Sequence, residues 1–510
     1  MMIKRVILGN PVFLPAIRTF GVGEAQPRQH INRSKASKAS STSSSRSVAR
    51  PTYARTHREQ WRRPSPGDLP APGPPRSAAA GGAGDHPPDA YIQKGVLLPK
   101  PKLERDQHHP PALVDRLASA FARALGVFHP FAGRLVRQRA ADTVSLRCTG
   151  EGAEFVHAAA PGVSAADLAA GAPLRVSREL VSALFPLKTG LLGVDAVSTA
   201  DGERAAPLLA AQVTELADGA VFVAVSLNHA IGDGTTFWHF PTDGGGDGAC
   251  REQPLPPVLE RWFLDTCPVP VPLQLAKVED AVRRRGHPPP LEQCFFHFSA
   301  ESVKKLKARA NGEAHSLSDA TVVISSLLGH LWRSLCRARR LGPSQETTYV
   351  LIIGCRRRVK GVPLSGYAGN AVVSCPVTAT AGEVLDKGLG WTARLLNRAV
   401  ASFDDEPANL GSFLERWPLE QRFVPTGAAE LIGAAVVTMG SPRFDVYGND
   451  FGWGKPLAVR SYPGQQLDGK CSVFEGRGGG GAMALEVCLA PDAMARLLED
   501  QEFMDAVTAP

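Results

Sequence analysis

The sequence predicts an α/β protein of two domains, 91–285 and 286–510, preceded by a basic extension over 1–90. Three observations carry this. Strand-like apolar runs alternate with segments of helical periodicity along the whole body, the pattern of layered α/β architecture. The Pro-rich stretch Pro268 to Pro290 interrupts that alternation and reads as a crossover between domains, placing the division near residue 285. The 510 residues are enough for two to three domains, and a hydrophobic content of 44% is that of an ordinary globular chain.

Residues 1–90 differ from the rest. Lys35 to Arg50 is rich in Ser, Ala and basic residues, and Pro64 to Pro88 in Pro, Gly and Ala. Neither segment can bury enough apolar surface to offset the entropy of ordering, so the extension is expected to be disordered or atypical. Its Arg/Ser-rich, acid-poor composition also resembles an organellar transit peptide, and an incorrectly assigned coding start is a further reading. It holds 14 Lys and Arg against 5 Asp and Glu, a balance of +9, so the other 420 residues carry −1 of the total +8. The near-neutral body has no electrostatic support for binding nucleic acid. No run approaches the ~18 uninterrupted apolar residues of a membrane span.

The body is expected to begin near Tyr91. Leu113, Leu117, Phe121 and Leu125 recur every four residues with Val114 and Ala118 beside them, which predicts an amphipathic helix. Strands follow near Val144–Cys148 and Glu154–His157. Leu208–Leu216 predicts a strand, Ala217 to Ala220 a turn around Gly219, and Val221–Leu227 a second strand. This last run is almost wholly apolar and rich in β-branched residues, as in the middle of a sheet. In the second half, Val323, Leu327, Leu331 and Leu335 mark a helix over about Asp319 to Leu341. Strands are expected at Phe295–Phe298, Tyr349–Ile353, Ala371–Val373, Ala434–Met439, Leu457–Arg460, Cys471–Phe474 and Ala484–Leu489. The nine cysteines are dispersed with no Cys-x-x-Cys pair, which suits a reducing compartment and buried thiols rather than a metal site.

Chemistry concentrates after the Val221–Leu227 run, in Asn228-His229-Ala230-Ile231-Gly232-Asp233-Gly234. A histidine can serve as general base near neutral pH because its unperturbed pKa lies there. The spacing His-x-x-x-Asp alone is weak: His239…Asp243 and His315…Asp319 share it, and 13 histidines make about one chance match expected. Context separates them. His229 leaves a buried strand and enters a glycine-punctuated turn, a rigid platform for a base. His239 precedes Pro241 and a Gly-rich stretch, and His315 sits in polar helix-capping sequence. For His229 the bland reading is a satisfied core histidine. A second segment, Tyr447-Gly448-Asn449-Asp450-Phe451-Gly452-Trp453-Gly454-Lys455-Pro456, predicts a tight structured loop, either a packed turn or a functional one. Arg356-Arg357-Arg358 follows a strand; such a run is usually a solvated face, but an arginine there could grip a buried carboxylate.

The two motifs Asn228–Gly234 and Asp450–Pro456, some 220 residues apart in that order, resemble those of the plant BAHD acyl-CoA-dependent acyltransferases. Phe128–Leu135, His330-Leu331-Trp332-Arg333 and Gly366-Tyr367-Ala368-Gly369-Asn370 are also similar, and the likeness spans about residues 91–510. It implies a two-domain fold like chloramphenicol acetyltransferase, mixed sheets with flanking helices, working as a cytoplasmic monomer. A channel would run between the domains, with acyl-CoA entering at one face and an alcohol, phenol or amine acceptor at the other. His229 would be the base, with Asp233 and Asp450 grouped with it. Asp233 would turn away to pair with an arginine of 356–358, while Asp450, Gly452, Trp453 and Gly454 would shape a loop. Gly234, Arg356, Arg358 and Asn370 would be structural supports. Acyl-CoA would be a co-substrate, with no permanently bound cofactor and no metal. Its phosphates want cations, for which Lys304, Lys305 and Lys307 are candidates; a solvated helix face is the plainer reading of those three.

The chain departs from the family pattern in three places. The helix after Gly234 is expected to stop at Pro241 to Gly246. The family's N-terminal strand is not recognisable before residue 90. Met439-Gly440-Ser441 stands where many members carry Thr and Trp, so oxyanion donors are unassigned. These departures leave two other readings: a catalytically inactive member acting as a binding or regulatory protein, and a bacterial-type condensation domain. Asn228 before His229, where such domains place a second histidine, and the Asp450–Pro456 loop speak against the latter.

Overall fold

The computed structural model describes residues 2–8, 17–20, 91–101, 113–138, 143–148, 150–169, 173–187, 197–198, 205–240, 257–259, 290–313, 323–358, 366–405, 434–465 and 467–509. Two seven-stranded mixed sheets form the frame. The first runs, in spatial order, Ala458–Ser461, Tyr91–Leu98, Val221–Asn228, Leu209–Leu216, Ala153–Ala160, Met2–Leu8 and Ile17–Phe20. The second runs Val372–Thr380, Glu346–Gly354, Val436–Gly440, Lys470–Glu475, Met483–Leu489, Glu292–Phe298 and Leu174–Arg175. A small third sheet joins Thr143–Arg147, Arg134–Gln138 and Val197–Ser198.

The strand Val221–Asn228 is buried at every position and pairs antiparallel on both sides, with Tyr91–Leu98 and Leu209–Leu216. Its apolar run is therefore the consequence of having two covered faces. Leu113–Val127 packs Leu117, Phe121 and Leu125 into the core of this sheet, together with Phe128 and Phe131. Each such side chain contributes about 1.5–3 kcal/mol through burial. On the second sheet, Val323–Ala338 places Leu327, Leu331, Trp332 and Leu335 in the core, against Leu389, Ala393 and Leu396 of Gly388–Asp405. The Trp332 indole is fully buried and donates to Thr347 Oγ1 at 3.0 Å, so its polar edge is satisfied.

Four findings correct or extend the sequence expectations. Within 1–90, expected to lack regular structure, Met2–Leu8 is a strand paired antiparallel along Ala153–Ala160, and Ile17–Phe20 pairs with it in turn. The short run MIKRVIL is rich in β-branched residues, but the composition of the longer segment obscured it. The two halves also exchange strands: Ala458–Ser461 joins the first sheet beside Tyr91–Leu98, and Leu174–Arg175 joins the second beside Glu292–Phe298. A cut near residue 285 therefore does not separate the sheets. The strand expected at Ala371–Val373 extends over Val372–Thr380. It lies at the sheet edge, where Pro376 needs no ladder donor and alternate polar residues face outward. The helix expected from Asp319 is seen over Val323–Ala338, and residues 314–322 lie outside those described, as do Pro241 to Gly246 and the Pro268 to Pro290 crossover.

Candidate active site

His229 follows directly on the buried strand Val221–Asn228. The chain turns because Asn228, fully buried, accepts the Ala230 amide on its Oδ1 at 2.9 Å, while its carbonyl accepts from the Ile231 amide at 3.1 Å. The imidazole is then held by Asn370. Asn370 Nδ2 donates to the His229 carbonyl at 2.7 Å, which places Oδ1 toward the ring, 3.1 Å from Nδ1. An amide oxygen only accepts, so Nδ1 carries the proton and the lone pair of the neutral ring resides on Nε2. Burial is the main influence on His229 and lowers its pKa below the usual imidazole value, against the pull of its own backbone, Asp233 and Asn370; Lys470 lowers it further. A neutral, oriented imidazole is the form a general base requires.

Asp233 is 1% exposed, and both its oxygens are saturated. Oδ2 accepts from Arg356 Nη1 at 2.6 Å and from the Ala371 amide at 2.9 Å; Oδ1 accepts from Arg356 Nη2 at 3.0 Å and from the Thr236 amide at 3.1 Å. The last bond caps the helix Gly234–His239. Burial would raise the Asp233 pKa, but the Arg356 charge and these bonds outweigh it and hold the carboxyl below its ordinary value. Arg356 continues the clamp, donating to the carbonyls of Tyr367 at 3.1 Å and Gly369 at 3.0 Å. Thr236 Oγ1 bonds both the carbonyl and the amide of Gly369. The turn carrying His229 and the segment carrying Asn370 are thus locked into one unit. At Gly234 an added Cβ would meet the Phe444 ring at 3.1 Å, so this position tolerates little bulk.

The other candidates fall elsewhere. Arg358 does not reach Asp233; its Nη1 donates to Gly354 O at 3.0 Å, within its own turn. Asp450 is exposed and not bonded to His229. Its Oδ1 accepts the amides of Gly452 at 2.8 Å and Gly454 at 3.0 Å, so a catalytic grouping for it gives way to loop closure. Gly452 and Gly454 adopt φ of 99° and 135°, conformations that favour glycine. Trp453 Nε1 donates to Pro99 O at 3.1 Å, fastening the loop to the end of Tyr91–Leu98, beside which the chain then enters as Ala458–Ser461. Lys304 and Lys305 are exposed on the helix Ala300–Glu313, whose buried face is Val303, Leu306 and Ala310; Lys307 is half-buried. Lys305 is paired with Glu301 at 2.7 Å. None of the three lysines is brought to His229 by a contact among the described residues. The sequence reads Asn228 only as the residue before His229 and gives Thr236 no role; both are short polar residues in an Asn-His…Asp-Gly-Thr-Thr context, which is the available signal for turn and cap bonding. Among the described residues no cluster of His, Cys, Asp and Glu could hold a metal ion, and no helix is long and apolar enough to cross a membrane.

Two mixed sheets with flanking helices, sharing strands and holding a histidine at the end of a central strand, define a chloramphenicol acetyltransferase-like α/β fold. TRI101 of F. sporotrichioides, solved with coenzyme A and T-2, superposes with a TM-score of 0.62 at 19% identity, covering 84% of this chain and 97% of that one. The Transferase family matches residues 83–504. An uncharacterized acetyltransferase of Arabidopsis thaliana is 32% identical over 422 residues, covering 81% of this chain and 91% of the relative. The BAHD acyltransferase DCR of the same plant is 30% identical over 409 residues, covering 77% and 80%. The chain belongs to the BAHD acyltransferase family.

Proposed function

We propose that this protein transfers an acyl group from acyl-CoA to a hydroxyl or amine of a small metabolite, with His229 as general base. The observation that carries the reading is the Asn370 clamp, which assigns the Nδ1 proton and leaves Nε2 as the basic atom. The acceptor O–H or N–H is a poor nucleophile until its proton is removed. His229 Nε2 takes that proton as the acceptor attacks the thioester carbonyl. The tetrahedral oxyanion collapses, the C–S bond breaks, and the imidazolium returns the proton to the departing CoA thiolate. The thioester is already activated, so neither an acyl-enzyme nor a metal is needed. Asp233 does not move protons in this scheme: with both oxygens occupied by Arg356 and two amides, it positions the turn.

Family membership and the coenzyme A in the TRI101 structure support acyl-CoA as co-substrate. A monomeric state follows from the family likeness, and the division near residue 285 is kept only as chain order, since the two sheets exchange Ala458–Ser461 and Leu174–Arg175. A cytoplasmic setting agrees with the dispersed cysteines, of which Cys294, Cys336, Cys355, Cys375, Cys471 and Cys488 are buried. The test is CoA release from acetyl-, malonyl-, hydroxycinnamoyl- and long-chain acyl-CoA against alcohol, phenol and amine acceptors. His229→Ala is expected to abolish turnover while leaving the unfolding midpoint near that of the parent. Full activity in His229→Ala removes the mechanism; acyl-CoA binding without turnover across the panel points to an inactive binding protein.

A further inference from the structure

A cavity of about 350 Å³ opens between the two sheets, away from His229. Its walls come from the helix Arg178–Ala183 and the strands Glu292–Phe298, Ala458–Ser461 and Met483–Leu489. No residue of the His229, Asp233 and Asn370 cluster lines it. The volume lies at the lower end of the roughly 300–1,000 Å³ of small-molecule sites.

Its charges are unbalanced. Arg175 at the rim is paired with Glu292. Arg178 and Arg460 also line the cavity, and among the described residues neither is in an ion pair. Arg460 is 4% exposed. Its guanidinium lies 4.7 Å from the Phe295 ring centre and, among the described residues, donates only to the carbonyls of Val459 and Leu168, leaving Nε without a partner there. The one buried carboxylate in the wall is Glu486, 5% exposed, whose Oε1 accepts the Ser461 amide at 3.2 Å and whose Oε2 has no partner among the described residues. Glu486 is not available to Arg460 alone. Behind it sits the half-buried Lys94, bonded to Ser461 Oγ at 2.5 Å and Ser472 Oγ at 3.1 Å. Burial pushes Lys94 down to about 8, with Glu486 pulling it back up. One carboxylate thus has the buried Arg460 and the half-buried Lys94 as cationic neighbours, with Arg178 at the mouth. Buried charge without a counter-charge is costly, so the arrangement calls for an anion from outside the described residues.

We propose that this cavity binds a small organic molecule through its carboxylate, with Arg460 and Arg178 as the pairing cations and Val181 and Leu291 as apolar wall. Arginine suits this because its planar fork matches a carboxylate. A phosphate would satisfy the same cations, and the nucleotide end of CoA is its obvious source. The experiment is calorimetric titration of the full chain without acyl-CoA. The ligands are 3-phenylpropanoate and hippurate, each against its own amide, with 3′,5′-ADP as the phosphate probe. The expected result is that each carboxylate binds at least about tenfold more tightly than its amide, the weight of one charge-assisted hydrogen bond. Arg460→Gln and Arg178→Gln should remove that preference, with 3′,5′-ADP binding unchanged and not competing. Arg178 is half-buried at the rim, so its variant serves if Arg460→Gln does not fold. Equal binding of acid and amide, no binding of either acid, or displacement of the acid by 3′,5′-ADP would each overturn the proposal. The titration contains no acyl donor, so its outcome does not depend on the acyl-transfer reading.

Discussion

Replacing Arg356 by alanine removes the counter-charge of a carboxylate that is 1% exposed. Asp233 keeps the Ala371 and Thr236 amides but loses both guanidinium bonds, and the Tyr367 and Gly369 carbonyls lose theirs. Leaving one half of a buried pair behind costs about 3–5 kcal/mol. The loss should depend on pH in a definite direction. In the parent protein the Asp233 pKa is lowered, so its contribution is present above the unfolded-state value of about 3.9 and fades only as pH falls through the lower folded value. In Arg356→Ala burial dominates and the folded pKa moves above the unfolded one. The deficit is then full at pH 7 and narrows as pH falls through that raised value, because protonation removes the unpaired charge. Urea unfolding followed by tryptophan fluorescence at pH 7 and pH 5 measures both effects. CoA release should fall ~100-fold, as expected for ångström-scale displacement of the His229 turn. Asp233→Asn combined with Arg356→Met should be less destabilised than Arg356→Ala alone, since neutral partners replace a stranded charge. A loss under about 1 kcal/mol, below what breaking a buried pair requires, or the same loss at both pH values, would refute the argument.

Two further outcomes follow from the site. The acid limb of kcat/KM should lie below the ordinary imidazole range, because burial lowers the His229 pKa and the neutral base survives to lower pH; a limb above that range contradicts the geometry. Asp450→Ala should cost about 1–2 kcal/mol from two lost amide bonds and lower kcat without moving that pH limb, whereas a shifted limb would return Asp450 to the chemistry.

Much of the fold is local enough to be legible in the sequence. Val221–Asn228 is buried throughout and apolar but for Ser226 and Asn228 because it has neighbours on both sides, and Val323–Ala338 shows its buried stripe at helical spacing. The Asp450–Pro456 loop is readable because Gly452 and Gly454 hold conformations that other residues avoid. Met2–Leu8 is not legible as a strand in the sequence because its partner, Ala153–Ala160, is remote and its surroundings are compositionally unlike a folded domain.

The strand that carries His229, the turn that follows it and a carboxylate in need of a partner are all written in local sequence. That Arg356 rather than Arg358 supplies that partner, that Asn370 orients the ring, and that a strand from the C-terminal half enters the N-terminal sheet are set by long-range packing. Arg356 lies 123 positions from Asp233 and Asn370 lies 141 from His229. Periodicity and turn chemistry act over a few residues, whereas these contacts depend on how the two sheets pack, and adjacent arginines in a run are separated only by the direction each side chain takes after packing.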